Sequence, residues 1–407
     1  MRVSSNQFQQ VAINAMLEQQ AKLSKVQQQV ATGKKITKPS DDPVAASKII
    51  KLNDVLNNIN QFKSNIESAR AQLTVEEGIL ASVGDAYHRI RELAIQANND
   101  SQTNETRTFI AQEMEQLQDE LVGLANSSNS NGEYIFSGNK AAFKPFSRNT
   151  EGGVDYNGDD GQRFTQIGPQ RQIAINDSGS DVFREIRDGN GKFSVLESPT
   201  NQGDGVIDPG VATGNYTSGT YAIVFDRQVS IDPKEPLTYS VVDAQGKVVV
   251  PPGQIYNSDQ NISFAGIQTF IRGNPAAGDF FVIRPSFHQD VFTTMQKYID
   301  ELRAGQGSPS QHALLHNHTN RLLNGIDQAL GRVLEIRANV GARLNAMQSQ
   351  ESINDTLSIQ VKEILSGVED LDYSEAVSRL NLKLTGLQAS QKAFSRVQDL
   401  SLFDYIG

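Results

Sequence analysis

The chain has 407 residues, 38% of them hydrophobic, and a net charge of -10 with a pI near 5.1. That length and apolar content suit two or three folded units with real cores, while the acidic balance excludes a general nucleic-acid binder, which needs clustered Lys and Arg to meet phosphates. Cysteine is absent, so disulfides, thiolate metal sites and cysteine nucleophiles are excluded.

Residues 5 to about 130 are rich in Gln, Asn, Ala, Leu and Ile and contain proline only at Pro39 and Pro43, which predicts helices. The first carries Met16, Leu23 and Val30 on one face at heptad spacing. It stops in TGKKITKPSDDPVAA, residues 32 to 46. Gly33 can take the left-handed conformation that closes a helix, and Lys34 and Lys35 suit the negative end of its dipole. Pro39 prolongs the break. Asp41 or Asp42 can cap the next helix, with Pro43 at its first position. Gly33, Pro39, Asp42 and Pro43 thus mark a break between two separately aimed helices.

In the second helix, Leu52, Ile59, Ile66, Leu73 and Leu80 recur every seven residues, with Val55, Phe62, Ala69, Val83 and Ile90 at the partner positions and Glu76 as the polar break. The loop NNDSQTN precedes a third helix, with Ile110, Met114, Leu117, Leu121 and Leu124 on one face, predicting an antiparallel hairpin. Asn131 to Pro285 reads as strand territory: NGEYIFSG (131 to 138) is expected as a strand, and YAIVF, KVVV and DFFVI alternate with turn signals such as DGNG and PPG. Helical composition returns at about Val291, with breaks near Gly305 to Pro309 and around Leu371 to Ser374. Leu315, Leu322, Ala329 and Ile336, interleaved with Ile326, Val333, Val340 and Met347, form a third stripe, and three stripes can close one bundle. The last helix places Val377, Leu380, Leu384, Leu387 and Phe394 on one face. The first and last helices could pair with each other, but two helices alone bury little area and read as unfinished in a monomer.

No reactive constellation stands out. ATGKK has Gln28 where a phosphate loop needs glycine and Lys35 where it needs Ser or Thr. Asp155, Asn157 and Asp159 alternate like a calcium loop, yet the glycine falls one residue late, at Gly161, and Gln166 stands where a bidentate Glu is required. His312, His316 and His318 have metal-ligand chemistry but no acidic ligand nearby in sequence, so no metal or cofactor is expected. An enzyme in the β-rich region would need convergent carboxylates, and Asp204, Asp208, Asp226 and Asp232 read as turn residues.

MRVSS at the start, TGKKITKPSDDPVAA, NGEYIFSG and LSLFDYI at the end resemble, in that order, the flagellin superfamily and specifically the hook-associated protein 3 family of bacterial flagella. The resemblance implies a mainly α fold with a β insertion: a coiled-coil-like bundle built from both termini plus a central, outward-facing β-rich domain. It implies an inner axial domain of residues 1–42 with 372–407, an outer axial domain of 43–189 with 286–371, and an insertion of 190–285. It further implies a structural protein, not an enzyme, at the junction between hook and filament. Its partners would be copies of itself in a ring, the neighbouring hook-associated junction protein, flagellin and an export chaperone. The opening stretch lacks the continuous apolar core of a cleaved signal, and no run of about 18 apolar residues suggests a membrane span. Those signals alone read as cytosolic; the resemblance instead implies an extracellular flagellar location reached through the flagellar channel. Filament flagellin is the alternative within the superfamily, and a secreted coiled-coil adhesin the alternative outside it.

Overall fold

The computed structural model describes residues 5–149, 153–226 and 236–406. They form two compact units, one made of the described residues up to Ile66 together with those from Gln348 onward, the other of Glu67–Met347.

In the first unit, α1 (Ser5–Thr32) packs along α7 (Tyr373–Ile406), and the unit also takes in the opening turns of α2 (Pro43–Ala97) and the closing turns of α6 (Pro309–Glu369). Leu23 and Val26 are buried on α1 and Ala376 on α7. An ion pair between Lys63 and Asp355 ties α2 to α6.

The second unit holds the rest of α2 and α6 with α3 (Asn104–Ala125), the short α4 (Gly179–Phe183) and α5 (Val291–Ala304). The sequence stripes become its core: Leu73, Leu80, Val83 and Ile90 of α2 and Leu315, Ile326, Ala329 and Val340 of α6 are almost wholly buried. The bundle has four principal helices where three stripes were expected. The fourth, α5, buries Phe292, Met295, Tyr298, Ile299 and Leu302 against α3; only about four turns long, it shows no extended heptad run in sequence. On α3, Gln118 rather than Leu117 reaches the interior, where its amide donates to Phe292 O at 2.9 Å. The turn from α2 to α3 is closed by a capping box at Thr103 and by buried Arg107, which donates to Ala97 O (3.1 Å), Asn99 O (3.3 Å) and Gln306 Oε1 (3.2 Å).

The segment NGEYIFSG is not a strand. It folds into successive turns with a single bridge between Ser128 and Tyr134, because Ile135, Phe136 and Ser137 are all buried, which alternating strand geometry would not allow on one face. Gly138 closes it at φ +70°, where a side chain would collide with the Asp159 carbonyl. Two hairpins follow, β1 (Phe146–Arg148) with β2 (Val154–Tyr156) and β3 (Phe164–Gly168) with β4 (Arg171–Ala174). A ribbon of β5 (Ile186–Arg187) and β15 (His288–Gln289) brackets the β domain.

Within that domain, β6 (Phe193–Glu197), β9 (Tyr221–Asp226), β10 (Thr238–Asp243), β11 (Val248–Ile255) and β14 (Phe280–Pro285) form an antiparallel sheet in the order β11-β10-β9-β14-β6. A second layer contains β7 (Val206–Ile207), β8 (Val211–Ala212), β12 (Asn261–Phe264) and β13 (Ile267–Arg272). Alternate residues such as Phe193, Ile223, Phe225, Phe281 and Ile271 fill the space between. Asn317 of α6 fastens this sandwich to the helices, accepting from Ile207 N at 2.9 Å and donating to Gly205 O at 3.1 Å.

Glu76, the polar break in the α2 stripe, is fully buried and accepts from Asp177 N at 3.1 Å. Arg343 of α6 clamps the Asp177 carboxylate with two hydrogen bonds, at 2.7 and 3.0 Å. Burial pushes Glu76 well above the ordinary carboxyl range, and the charge on Asp177 adds to the shift. The folded chain therefore holds this proton more tightly than the unfolded chain. Its contribution to stability is complete below about pH 4.5 and declines as pH rises through the folded value. Glu76→Gln keeps the acceptor and removes the ionisation. It should melt like wild type at pH 4 and at a higher temperature than wild type at pH 9; parallel melting curves across that range would rule the titration out.

Candidate assembly surface and its connector

The break in TGKKITKPSDDPVAA is built residue by residue. Gly33 takes φ +70° and its N–H donates to Gln29 O at 2.9 Å, ending α1 in the left-handed manner. Asp42 then caps α2, its Oδ1 accepting from Val44 N and Ala45 N at 3.1 and 3.0 Å, with Pro43 as the first helical residue. Asp41 braces the loop instead of capping: its carboxylate accepts from Thr37 and Lys38 and pairs with Lys25 at 2.7 Å. The Lys25 contact above all holds Asp41 down at about 2, and Pro39 lies exposed in the turn between.

The second break, between α6 and α7, lies directly against the first. Lys35 N donates to Glu369 O at 2.7 Å and Leu371 N to Gly33 O at 2.9 Å, an antiparallel bridge centred on Lys34 and Asp370. Lys34 also pairs with Glu369, and the Gln29 amide reaches Lys35 O at 2.5 Å. The two interruptions thus satisfy each other's backbone groups. Nothing in the local sequence signals this pairing, since its halves lie at opposite ends of the chain.

On α1, Leu23 is buried and Met16 and Val30 are half-buried; on α7, Leu380, Leu384, Leu387 and Phe394 are half-buried and Val377 is exposed. At Gly386 of α7 a Cβ would stand 2.8 Å from the Gln19 amide of α1. The stretch LSLFDYI lies on α7, but its side chains are outside the described residues, as is the whole of MRVS at the start.

The remaining candidates do not converge. Asp159 accepts from Asn139 N and Gly161 N, Asp155 from the Asn149 amide, and Asn157 donates to Ser147. Asp204 and Asp208 bind turn amides at Asn274 and Gly210, and Asp232 lies outside the described residues. Two of the three histidines do meet acidic residues, from distant parts of the chain: His316 lies between Asn98 and Asp100, and His318 between Glu197 and Glu301. Among the described residues, no group of three or more His, Asp or Glu could hold a metal, and no helix is long and apolar enough to cross a membrane.

Terminal helices paired across the ends of the chain, long heptad helices and an inserted β domain define a flagellin-type axial protein. Residues 3–141 match the bacterial flagellin N-terminal helical region and residues 323–406 the C-terminal helical region. The chain is similar to flagellar hook-associated protein 3 of Salmonella typhimurium, with 23% identity over 99% of both chains. It is also similar to the crystal structure of flagellar hook-associated protein 3 from Legionella pneumophila, with 33% identity, a TM-score of 0.75, and coverage of 79% of this chain and 98% of that one. Similarity to a flagellin of Clostridium tyrobutyricum, at 30% identity, spans 29% of this chain and 31% of that protein. The chain belongs to the flagellar hook-associated protein 3 family, structural proteins of the bacterial flagellum.

If the left-handed turn sets the connector, Gly33→Val should cost roughly 1 to 2 kcal/mol, because a side chain at positive φ meets the following carbonyl and its Cβ would lie 2.9 Å from the Tyr373 hydroxyl. Hydrogen exchange at Lys35 and Leu371 should accelerate accordingly. Combining it with Tyr373→Phe should not restore protection, since the backbone strain remains; unchanged exchange in Gly33→Val alone would show that the bridge does not depend on this turn.

Proposed function

We propose that the chain assembles through its terminal helices into a ring at the junction between hook and filament and serves as the adaptor on which filament grows. Residues 1–42 with 372–407 form the inner axial layer and 43–189 with 286–371 the outer one. Residues 190–285 make the outward insertion. The assembly face comprises Met16, Leu23 and Val30 with Val377, Leu380, Leu384, Leu387 and Phe394. Gly33, Pro39, Asp42 and Pro43 form the hinge between layers. The neighbours are copies of the chain, the adjoining hook-associated junction protein and flagellin. The chain reaches this site outside the cell through the flagellar channel, escorted to export by a chaperone. A solved relative from Legionella pneumophila, 32% identical, is described as the flagellar junction protein FlgL.

One observation carries the assembly reading. Although α1 and α7 pack together and bury Leu23 of this face, Val377 remains 45% exposed, and on the same two helices Val11 is 63% exposed, Leu17 58% and Leu382 70%. Each large apolar side chain left in water forgoes roughly 1.5 to 3 kcal/mol relative to full burial, and neighbouring subunits would bury them. In a ring each contact repeats, so a single unpaired charge recurs at every seam. Leu387→Asp should therefore give a monomer that melts within a few degrees of wild type and is exported, from cells whose hooks carry no filament. A large fall in the monomer's melting temperature, with normal filaments on the cells, would place Leu387 in the chain's own core.

A further inference from the structure

His318 of α6 stands between two carboxylates from different parts of the second unit. Its Nε2 is 2.9 Å from Glu197 Oε1 at the end of β6, and its Nδ1 is 3.2 Å from Glu301 Oε2 on α5. An ionised carboxylate only accepts hydrogen bonds, and a neutral imidazole has one N–H to give. Two such contacts therefore require the imidazolium. The other oxygen of Glu197 pairs with Arg321, one turn further along α6. Glu197 and Glu301 are only 5% and 14% exposed in their side chains, so solvent and salt screen the group poorly.

We propose that His318 is a proton-operated clasp between the β sandwich and the helices: charged, it joins Glu197 to Glu301, and neutral, it releases one of them and loosens that seam. With the proton present, the imidazolium and Arg321 balance the two carboxylates. Without it, one nearly buried negative charge is left over, and a ring lone pair faces a carboxylate.

Burial alone would push the His318 imidazole down, but its hydrogen bonds to Glu197 and Glu301 outweigh burial and Arg321 and leave it above 6.5. Because its folded value lies above the unfolded one, the clasp's contribution is complete below about pH 6.5 and is lost as pH rises through the folded value. Lys297 and Asp300 of α5, Arg187 of β5 and Arg284 of β14 line the same cleft of about 540 Å³. Arg284 is held by Asp188 at 2.6 Å and Asp300 by the Gln296 amide at 2.9 Å. Glu76 also titrates above the ordinary carboxyl range, so the measurement is made in the Glu76→Gln background as well as in the unaltered chain, and a transition common to both reports His318.

The test uses the full chain and follows the five histidines by proton–carbon NMR from pH 5 to 10, with the His318 signal assigned from His318→Asn. The clasp requires His318 to titrate above 6.5. It also requires amides of β6 and α5, corrected for intrinsic exchange, to lose protection severalfold through that titration. Glu301→Gln supplies an amide that a neutral imidazole can accept from at Nδ1 while still donating to Glu197, so this variant should lose the pH-dependent loosening. Titration of His318 at or below 6.5 in the unaltered chain would overturn the proposal without recourse to any variant, as would loosening that persists undiminished in Glu301→Gln.

Discussion

The backbone bridge between Gly33 and Leu371 is the constraint on which the architecture of the first unit rests. A helix end exposes carbonyls, a helix start exposes N–H groups, and a chain that interrupts two helices must satisfy both sets. Here one break supplies what the other lacks: the Gly33 carbonyl accepts from Leu371, and Lys35 donates to Glu369. The left-handed turn at Gly33 exposes that carbonyl, and the Lys34 to Glu369 ion pair lies on the same bridge. The pairing of α1 with α7 then follows from chain continuity, because both helices leave one fixed point. It needs little burial of its own, which fits two helices that retain so much exposed apolar surface.

The second unit is held by a different balance. Its helices are long enough for heptad burial to dominate, and nearly all the apolar stripe positions of α6 up to Met347 are buried. Polar groups within this core serve to fix register and direction. Arg107 gathers the ends of three segments at one buried guanidinium. Glu76 and Asp177 connect α2 to the chain that follows β4, and Arg343 carries the link to α6. Groups of this kind destabilise strongly when one partner is removed, because the remaining partner is left buried and alone.

The β domain has its own core and is tied to the helices by polar side chains, with Asn317, Arg321 and His318 of α6 reaching Gly205, Ile207 and Glu197. A polar seam of this sort is more readily loosened than a hydrophobic one, since water can replace each of its hydrogen bonds. It also lets the sandwich vary in sequence without repacking the bundle, provided the few contacting residues are kept.

The order of helices and β insertion, the stripes of α2 and α6 apart from Val55, which is 44% exposed, the stop at Gly33 and the restart at Asp42 and Pro43 were all determined by the sequence alone. Each depends on residues within a turn or a heptad of one another, and periodicity and capping are local properties of the chain. The tertiary structure decided what depends on distant partners. NGEYIFSG has the composition of a strand but folds as turns, since three consecutive side chains are drawn into one core. His316 and His318 acquire acidic neighbours from α5, β6 and the α2 to α3 turn, none of them near in sequence. The bridge joining residues 33 to 35 with 369 to 371 spans almost the whole chain, and backbone N–H and C=O groups are the same at every position, so no side-chain pattern could announce which distant segment would pair with them.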